Sequence, residues 1–244
     1  MKRKLGSFHI HIRDRLLLWL TLHPITRLIF GNSWSLLFNR AVTRKIISYY
    51  DGDSGHQINL KTGSVGFGFI HYALILNMRP KRVLCIGSRK GFIPAICALA
   101  CKENGFGRVD FVDAGYGQND IHHWSGISWW KRVDPEKHFS LFDVNRWLTT
   151  YVMTTEKFAK RYRRSYDYIY VDADHSYAGA KRDWELFWPR LTRGGLIAYH
   201  DVAVHQTKAL GTFGVWKVWK EKAKNKGLRF AFPAESGLGI LQKL

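Results

Sequence analysis

Residues 166–202 read YDYIYVDADHSYAGAKRDWELFWPRLTRGGLIAYHDV, and this stretch decides the fold. Its first six residues are apolar or aromatic around a single acid, Asp167, as suits a strand buried on both faces of a parallel sheet. The run stops at Asp172, Asp174 and His175. A helical pattern follows, with Ala180, Trp184, Phe187, Trp188 and Leu191 at i, i+4, i+7, i+8 and i+11, and Lys181, Arg182, Asp183 and Glu185 between them. Gly194 and Gly195 are expected to end that unit. A second buried strand over 196–199 then delivers His200 and Asp201 at its end. One strand-helix-strand unit thus brings five ligand-type side chains to one sheet edge, and in open α/β sheets that carboxyl edge is where ligands bind.

Upstream, residues 82–86 read as a buried strand, Gly87-Ser88-Arg89-Lys90-Gly91 as a tight turn, and 92–102 as a helix that tolerates Pro94 in its first turn. Glycines suit such a turn because the backbone must bend sharply and let a ligand come close. The spacing is not the dinucleotide G-x-G-x-x-G. A strand over 108–112 ends in Asp113, about 20 residues after the turn, where a carboxylate can accept from both ribose hydroxyls. The alternative is a simple turn Asp ahead of Gly115. Residues 115–142 form an aromatic, His-rich insertion. Its adjacent His122 and His123 point in different directions, so with Trp124 and Trp129 they read as pocket lining rather than metal ligands. Residues 148–153 are the next strand, and Thr154 or Thr155 suits the N-cap of a helix over 156–162. Trp216, Trp219 and Ala223 mark a solvated amphipathic helix, and the last segments, around LRFAF and LGILQKL, read as a hairpin.

VDADHSY, the WELFWPRL helix, RGGLIAYHDV and FGVWKVW together resemble the class I S-adenosylmethionine-dependent methyltransferases of the methyltransferase 24 subgroup, in matching order over roughly residues 60–244. The resemblance implies an α/β, Rossmann-like, doubly wound sheet of seven mostly parallel strands, the last two from the hairpin and one of them antiparallel. It implies S-adenosyl-L-methionine held at Gly87, Ser88, Gly91 and Asp113, with Thr155 and Glu156 near the adenine. Cys85 departs from the pattern, which usually has an acid at that position. Related enzymes include metal-dependent O-methyltransferases of sugar hydroxyls, which implies a divalent cation, Mg or Mn, at Asp172, His200 and Asp201. His200 stands where a carboxylate is often found. His175 matches a catalytic base, working with Asp172. The alternative is that Asp174 and His175 merely cap the following helix.

With 244 residues, 46% hydrophobic and 15% aromatic, the chain can bury a full core. It divides into a basic amphipathic helical extension, 1–58, and a methyltransferase domain, 59–244. Cys85, Cys97 and Cys101 lie in apolar segments without metal-site spacing, and read as reduced core thiols of a cytoplasmic protein. The formal charge of +19 implies an acidic partner. Residues 1–50 hold nine Lys or Arg against Asp14 alone, and their longest apolar run is the five residues 16–20, far short of the ~20 a membrane span needs. The extension therefore reads either as a helix lying in the interface at the inner face of a membrane, or as a cap packed on the domain or on a second copy in a homo-oligomer. The partner expected is a sugar or glycan, lipid-linked or anionic. An RNA methyltransferase and a non-catalytic basic binding module are the alternatives; no RNA-recognition signature accompanies the charge, and the Asp172, His175 and Asp201 set argues against a dead module.

Overall fold

The computed structural model of the chain describes residues 40–51, 54–115, 129–205, 213–224 and 226–244. Helix α1 (Arg40–Tyr50) leads through a 3₁₀ turn (Ser54–His56) into an antiparallel pair, β1 (Ile58–Asn59) and β2 (Ser64–Val65). Then come α2 (Phe67–Met78), β3 (Arg82–Ile86), α3 (Phe92–Asn104), β4 (Arg108–Asp113), α4 (Trp129–Arg132), α5 (Pro135–Ser140), β5 (Leu148–Val152) and α6 (Thr155–Arg161). The remainder is β6 (Tyr166–Val171), α7 (Tyr177–Phe187), β7 (Leu191–His200), α8 (Val215–Lys222), β8 (Arg229–Phe232) and β9 (Leu238–Gln242). Strands β3 to β9 make one seven-stranded sheet in the order β5-β4-β3-β6-β7-β9-β8. Strands β3 to β7 pair in parallel, and β9 alone runs against both its neighbours. The expected Rossmann-like, mostly parallel sheet with one reversed strand is what the chain forms.

Beyond Arg82 and Asp167, the central strands β3 and β6 are apolar or aromatic because each face meets its own layer of helices. Val83, Cys85, Tyr168, Tyr170 and Ala198 belong to one core, with Ile46 and Tyr50 of α1, Ile75 of α2 and Phe92 of α3. Leu84, Ile86, Ile169, Val171, Ile197 and Tyr199 belong to the other, with Phe158 of α6, Trp184 of α7 and Val218 of α8. Each large side chain so removed from water contributes roughly 1.5–3 kcal/mol. Asp167, the one acid in β6, ties down the opposite edge of the sheet: its Oδ2 accepts from the backbone N–H groups of Lys81 (2.8 Å) and Arg82 (3.2 Å), and its Oδ1 from Thr192 Oγ1 (3.1 Å). All three cysteines are buried and free, as expected.

Some boundaries differ from the sequence reading. The helix expected from residue 64 starts at Phe67, because Ser64 and Val65 pair with Asn59 and Ile58. Helix α7 stops at Phe187, and a 3₁₀ turn through Pro189 follows, so Leu191 opens a strand instead of closing a helix. Gly194 and Gly195 do not end the unit but lie inside β7. Leu191 pairs with Tyr166 and Leu196 with Tyr168, and the glycines take up the irregularity between those pairs. Residues 1–39, with most of the basic amphipathic pattern, and His122, His123 and Trp124 lie outside the described residues. No described helix is long and apolar enough to cross a membrane.

Candidate active site

Strand β6 ends where Asp172 N–H donates to Ile86 O at 2.8 Å, so Asp172 leaves the sheet at its carboxyl edge beside the end of β3. Two strand ends and the turn after β6 then supply four donor atoms that face one another. His175 Nε2 stands 3.3 Å from Asp172 Oδ1 and 3.1 Å from Asp201 Oδ2; His200 Nδ1 stands 3.4 Å and 3.3 Å from the same two oxygens. His200 and Asp201 are 5% and 4% exposed, so water does little to screen this contact. Asp201 takes a left-handed backbone conformation, φ 63°, which aims its carboxylate at the group. Asp174, the fifth residue expected at this edge, turns away. Its Oδ1 accepts from Ser176 N–H at 3.0 Å, and its Oδ2 lies 3.5 Å from Arg182. The cap of α7 is Ser176, whose side chain accepts from Gly179 N–H, so His175 is left for the cluster.

Charge balance follows from this geometry. Burial works against a charged ring at His200, but the Asp172 and Asp201 carboxylates outweigh it and hold the pKa of His200 well above its ordinary value. His175 is likewise raised: burial opposes the charge, and the Asp172 hydrogen bond and the Asp201 charge overcome it. For Asp172 burial favours the neutral acid, yet His200, His175 and His56 together keep it ionised far below the usual carboxylate range.

Three residues that the sequence reading did not single out, His56, Tyr170 and Phe213, complete the group. His56, from the turn after α1, stacks on His200 with ring centroids 4.4 Å apart and planes 11° from parallel. Its Nε2 lies 2.8 Å from Tyr170 Oη, which donates to Asp172 Oδ2 at 3.0 Å. His200 Nε2 donates to Gly55 O at 2.9 Å, which fixes Nδ1 as the nitrogen facing the carboxylates. Phe213 stacks on His175 at 4.8 Å and 20°.

Beside this cluster lies the turn 87–91. Gly87, Ser88, Arg89 and Gly91 all have positive φ, at 70°, 150°, 39° and 83°. For Ser88 and Arg89 this costs ~1–3 kcal/mol each, a strain that collects at functional sites. A side chain at Gly87 would overlap the backbone of Asp172 and Ala173, and one at Gly91 would come within 2.8 Å of the Phe139 ring. Ser88 Oγ is buried with no partner among the described residues. Asp113 ends β4 and its Oδ1 accepts from Gly115 N–H at 2.8 Å; burial pushes its carboxyl up to about 6. Thr154 caps α6 by accepting from Lys157 N–H, and Thr155 is the first residue of that helix. Glu156 pairs with Arg182 Nε at 2.8 Å. The structure thus brings Asp172, His175, His200 and Asp201 together, while Glu156 engages α7.

Donors ~2.1 Å from a shared cation stand roughly 3–3.4 Å apart, and the two contacts of His200 Nδ1 with Asp172 and Asp201, 3.4 and 3.3 Å, match that spacing. Two carboxylates and an imidazole lone pair at such distances repel unless a proton or a cation lies among them. The residues therefore fit a divalent cation.

An open parallel sheet with its acid-imidazole cluster at the ends of the middle strands, next to a strained glycine turn, defines a class I methyltransferase fold. Residues 84–202 match the methyltransferase 24 family, described as methyltransferase domain. The chain is 26% identical over 187 residues to the uncharacterised protein y4gI of Sinorhizobium fredii, which covers 76% of this chain but 19% of that protein. It therefore spans about a fifth of that relative's length. Among solved structures, the O-methyltransferase of Bacillus cereus in complex with SAH shares the fold at 13% identity and TM-score 0.57, covering 83% of this chain and 91% of that one. The O-methyltransferase TomG of Streptomyces achromogenes, in complex with SAM, does so at 11% and 0.57, covering 88% and 94%. SAH-bound PaMTH1 of Podospora anserina does so at 13% and 0.57, covering 84% and 88%.

Proposed function

We propose that this chain transfers a methyl group from S-adenosylmethionine to a hydroxyl of a sugar or glycan, with a divalent cation held by Asp172, His200 and Asp201. The observation that carries the reading is the convergence of His175 Nε2 with Asp172 Oδ1, Asp201 Oδ2 and His200 Nδ1 beside the 87–91 turn. The cofactor, when bound, supplies an electrophilic methyl on a sulfonium. The cation, when bound, supplies Lewis acidity that makes an acceptor hydroxyl easier to deprotonate. His175 takes the hydroxyl proton, and the stacked Phe213 ring holds the imidazole in place. The 87–91 turn lets the cofactor approach the backbone, and Asp113 accepts from the ribose. A groove of about 520 Å³, lined by Gln57, Val65, Phe67, Phe69, Ile70 and Phe232 among others, adjoins the cluster, since Phe67 also packs edge-on against His200 at 6.0 Å. Its apolar lining supports an acceptor with an apolar part, as a lipid-linked glycan has.

The test incubates the chain with methyl-labelled S-adenosylmethionine and candidate glycans, and reads the products by mass spectrometry. One added methyl on a sugar oxygen is expected. His175→Ala should lower turnover by about two to four orders of magnitude and leave SAH affinity nearly unchanged. Label on RNA nitrogens, or a chain that does not bind SAH by calorimetry, would overturn the reading.

A further inference from the structure

We propose that the cation site is a nitrogen-containing centre that selects a transition-metal dication such as Mn²⁺, Co²⁺ or Zn²⁺ over Mg²⁺, and that His56 is the positioning residue that keeps His200 in its ligating pose. The proposal rests on the reading above only in placing a cation at Asp172, His200 and Asp201.

The ligand chemistry comes first. Mg²⁺ favours all-oxygen coordination and gives up its water reluctantly, whereas imidazole suits the later first-row dications. Here an imidazole nitrogen, His200 Nδ1, faces both carboxylate oxygens at 3.3–3.4 Å. The ring is committed to that face. Its Nε2 donates to Gly55 O, the pattern by which a ligating histidine has its other nitrogen held by a backbone carbonyl.

His56 then fixes the plane of that ring. It lies parallel to His200 and is anchored through Nε2 to Tyr170 Oη. The same hydroxyl engages Asp172 Oδ2, so Oδ1 is the oxygen left to face His175 and His200. One short chain of contacts, His56 to Tyr170 to Asp172, therefore orients a nitrogen ligand and an oxygen ligand at once. Gly55 and His56 both precede residues 84–202, so this support comes from outside the segment matched to the methyltransferase family.

The rival account is a proton: His200 as a buried imidazolium between two carboxylates, with no ion needed. The full chain, stripped with chelator, separates the two. Co²⁺ titration should bring up visible absorption bands, and calorimetry should show Co²⁺ and Mn²⁺ binding tighter than Mg²⁺ by about two orders of magnitude. His200→Asp should shrink that preference to less than about tenfold by restoring an all-oxygen set. His56→Ala should weaken Co²⁺ binding about 10- to 100-fold and change the band intensities. SAH affinity, measured on each variant, shows that the fold persists and reports on the methyltransferase reading separately. Should His200→Asp lose SAH binding, His56→Ala decides alone. Equal affinity for Mg²⁺ and Mn²⁺, no bound Co²⁺ at all, or an unaltered Co²⁺ affinity in His56→Ala would each overturn the proposal.

Discussion

Gly87 shows how tightly the 87–91 turn and the end of β6 are coupled. Any side chain there would meet the backbone of Asp172, and the residue already sits at φ 70°. Gly87→Ala is expected to destabilise the fold by ~2 kcal/mol or more in urea titration, from strain and overlap together. Asp183 carries a different liability. It is buried in α7, and burial raises its carboxyl to about 7. Because the folded pKa lies above the unfolded one of ~3.9, the protonated form favours folding. The stability it contributes is full below about 4 and is lost as pH rises to about 7. Asp183→Asn should therefore match the wild type near pH 4 and melt at a higher temperature at pH 8. A parallel decline of both proteins across that range would refute the assignment. Asp172, His175 and Asp201 were legible in the sequence because each interrupts or ends a buried run. His56 was not, since it lies in a short polar turn and its partners are more than a hundred residues away: Tyr170 is 114 residues on.

At the scale of elements, β6 was legible to the residue because both its faces are covered, which leaves an apolar and aromatic run broken only by Asp167. Strand β7 was legible only in its second half. Its first half holds Arg193, Gly194 and Gly195, and in sequence two glycines look like a break. In the sheet Gly194 N–H donates to Lys243 O at 2.6 Å and Lys243 N–H to Gly195 O at 3.0 Å, so the residue just past β9 holds the irregular part in place. Helix α1 falls in the stretch read as an extension, yet Ile46, Ile47 and Tyr50 are 1–2% exposed and pack with the first-face core. Ile46→Ala should cost ~2–5 kcal/mol, as an interior substitution does, with a single cooperative transition in denaturant. A loss below about 0.5 kcal/mol would show a helix that merely leans on the domain.

For the whole molecule, charge is the dominant feature, at +19. We propose that the basic excess of residues 1–50 brings the enzyme to an anionic membrane face and so to a lipid-linked acceptor. Each Lys or Arg near such a surface contributes ~1 kcal/mol, and salt weakens the attraction. The full chain should sediment with anionic vesicles and not neutral ones, and should come off as salt rises. A chain lacking residues 1–39, which keeps α1, should stay in solution; equal sedimentation of that chain would place the affinity elsewhere. The hydrogen bond from His200 to Gly55 joins positions 145 residues apart. Contacts of such long range form late, after the ordering cost of the intervening chain has been met. During synthesis, then, His56 waits until His200, 144 positions on, has been made before its partner ring exists. The cluster is in this sense dated to the moment the seventh strand leaves the ribosome.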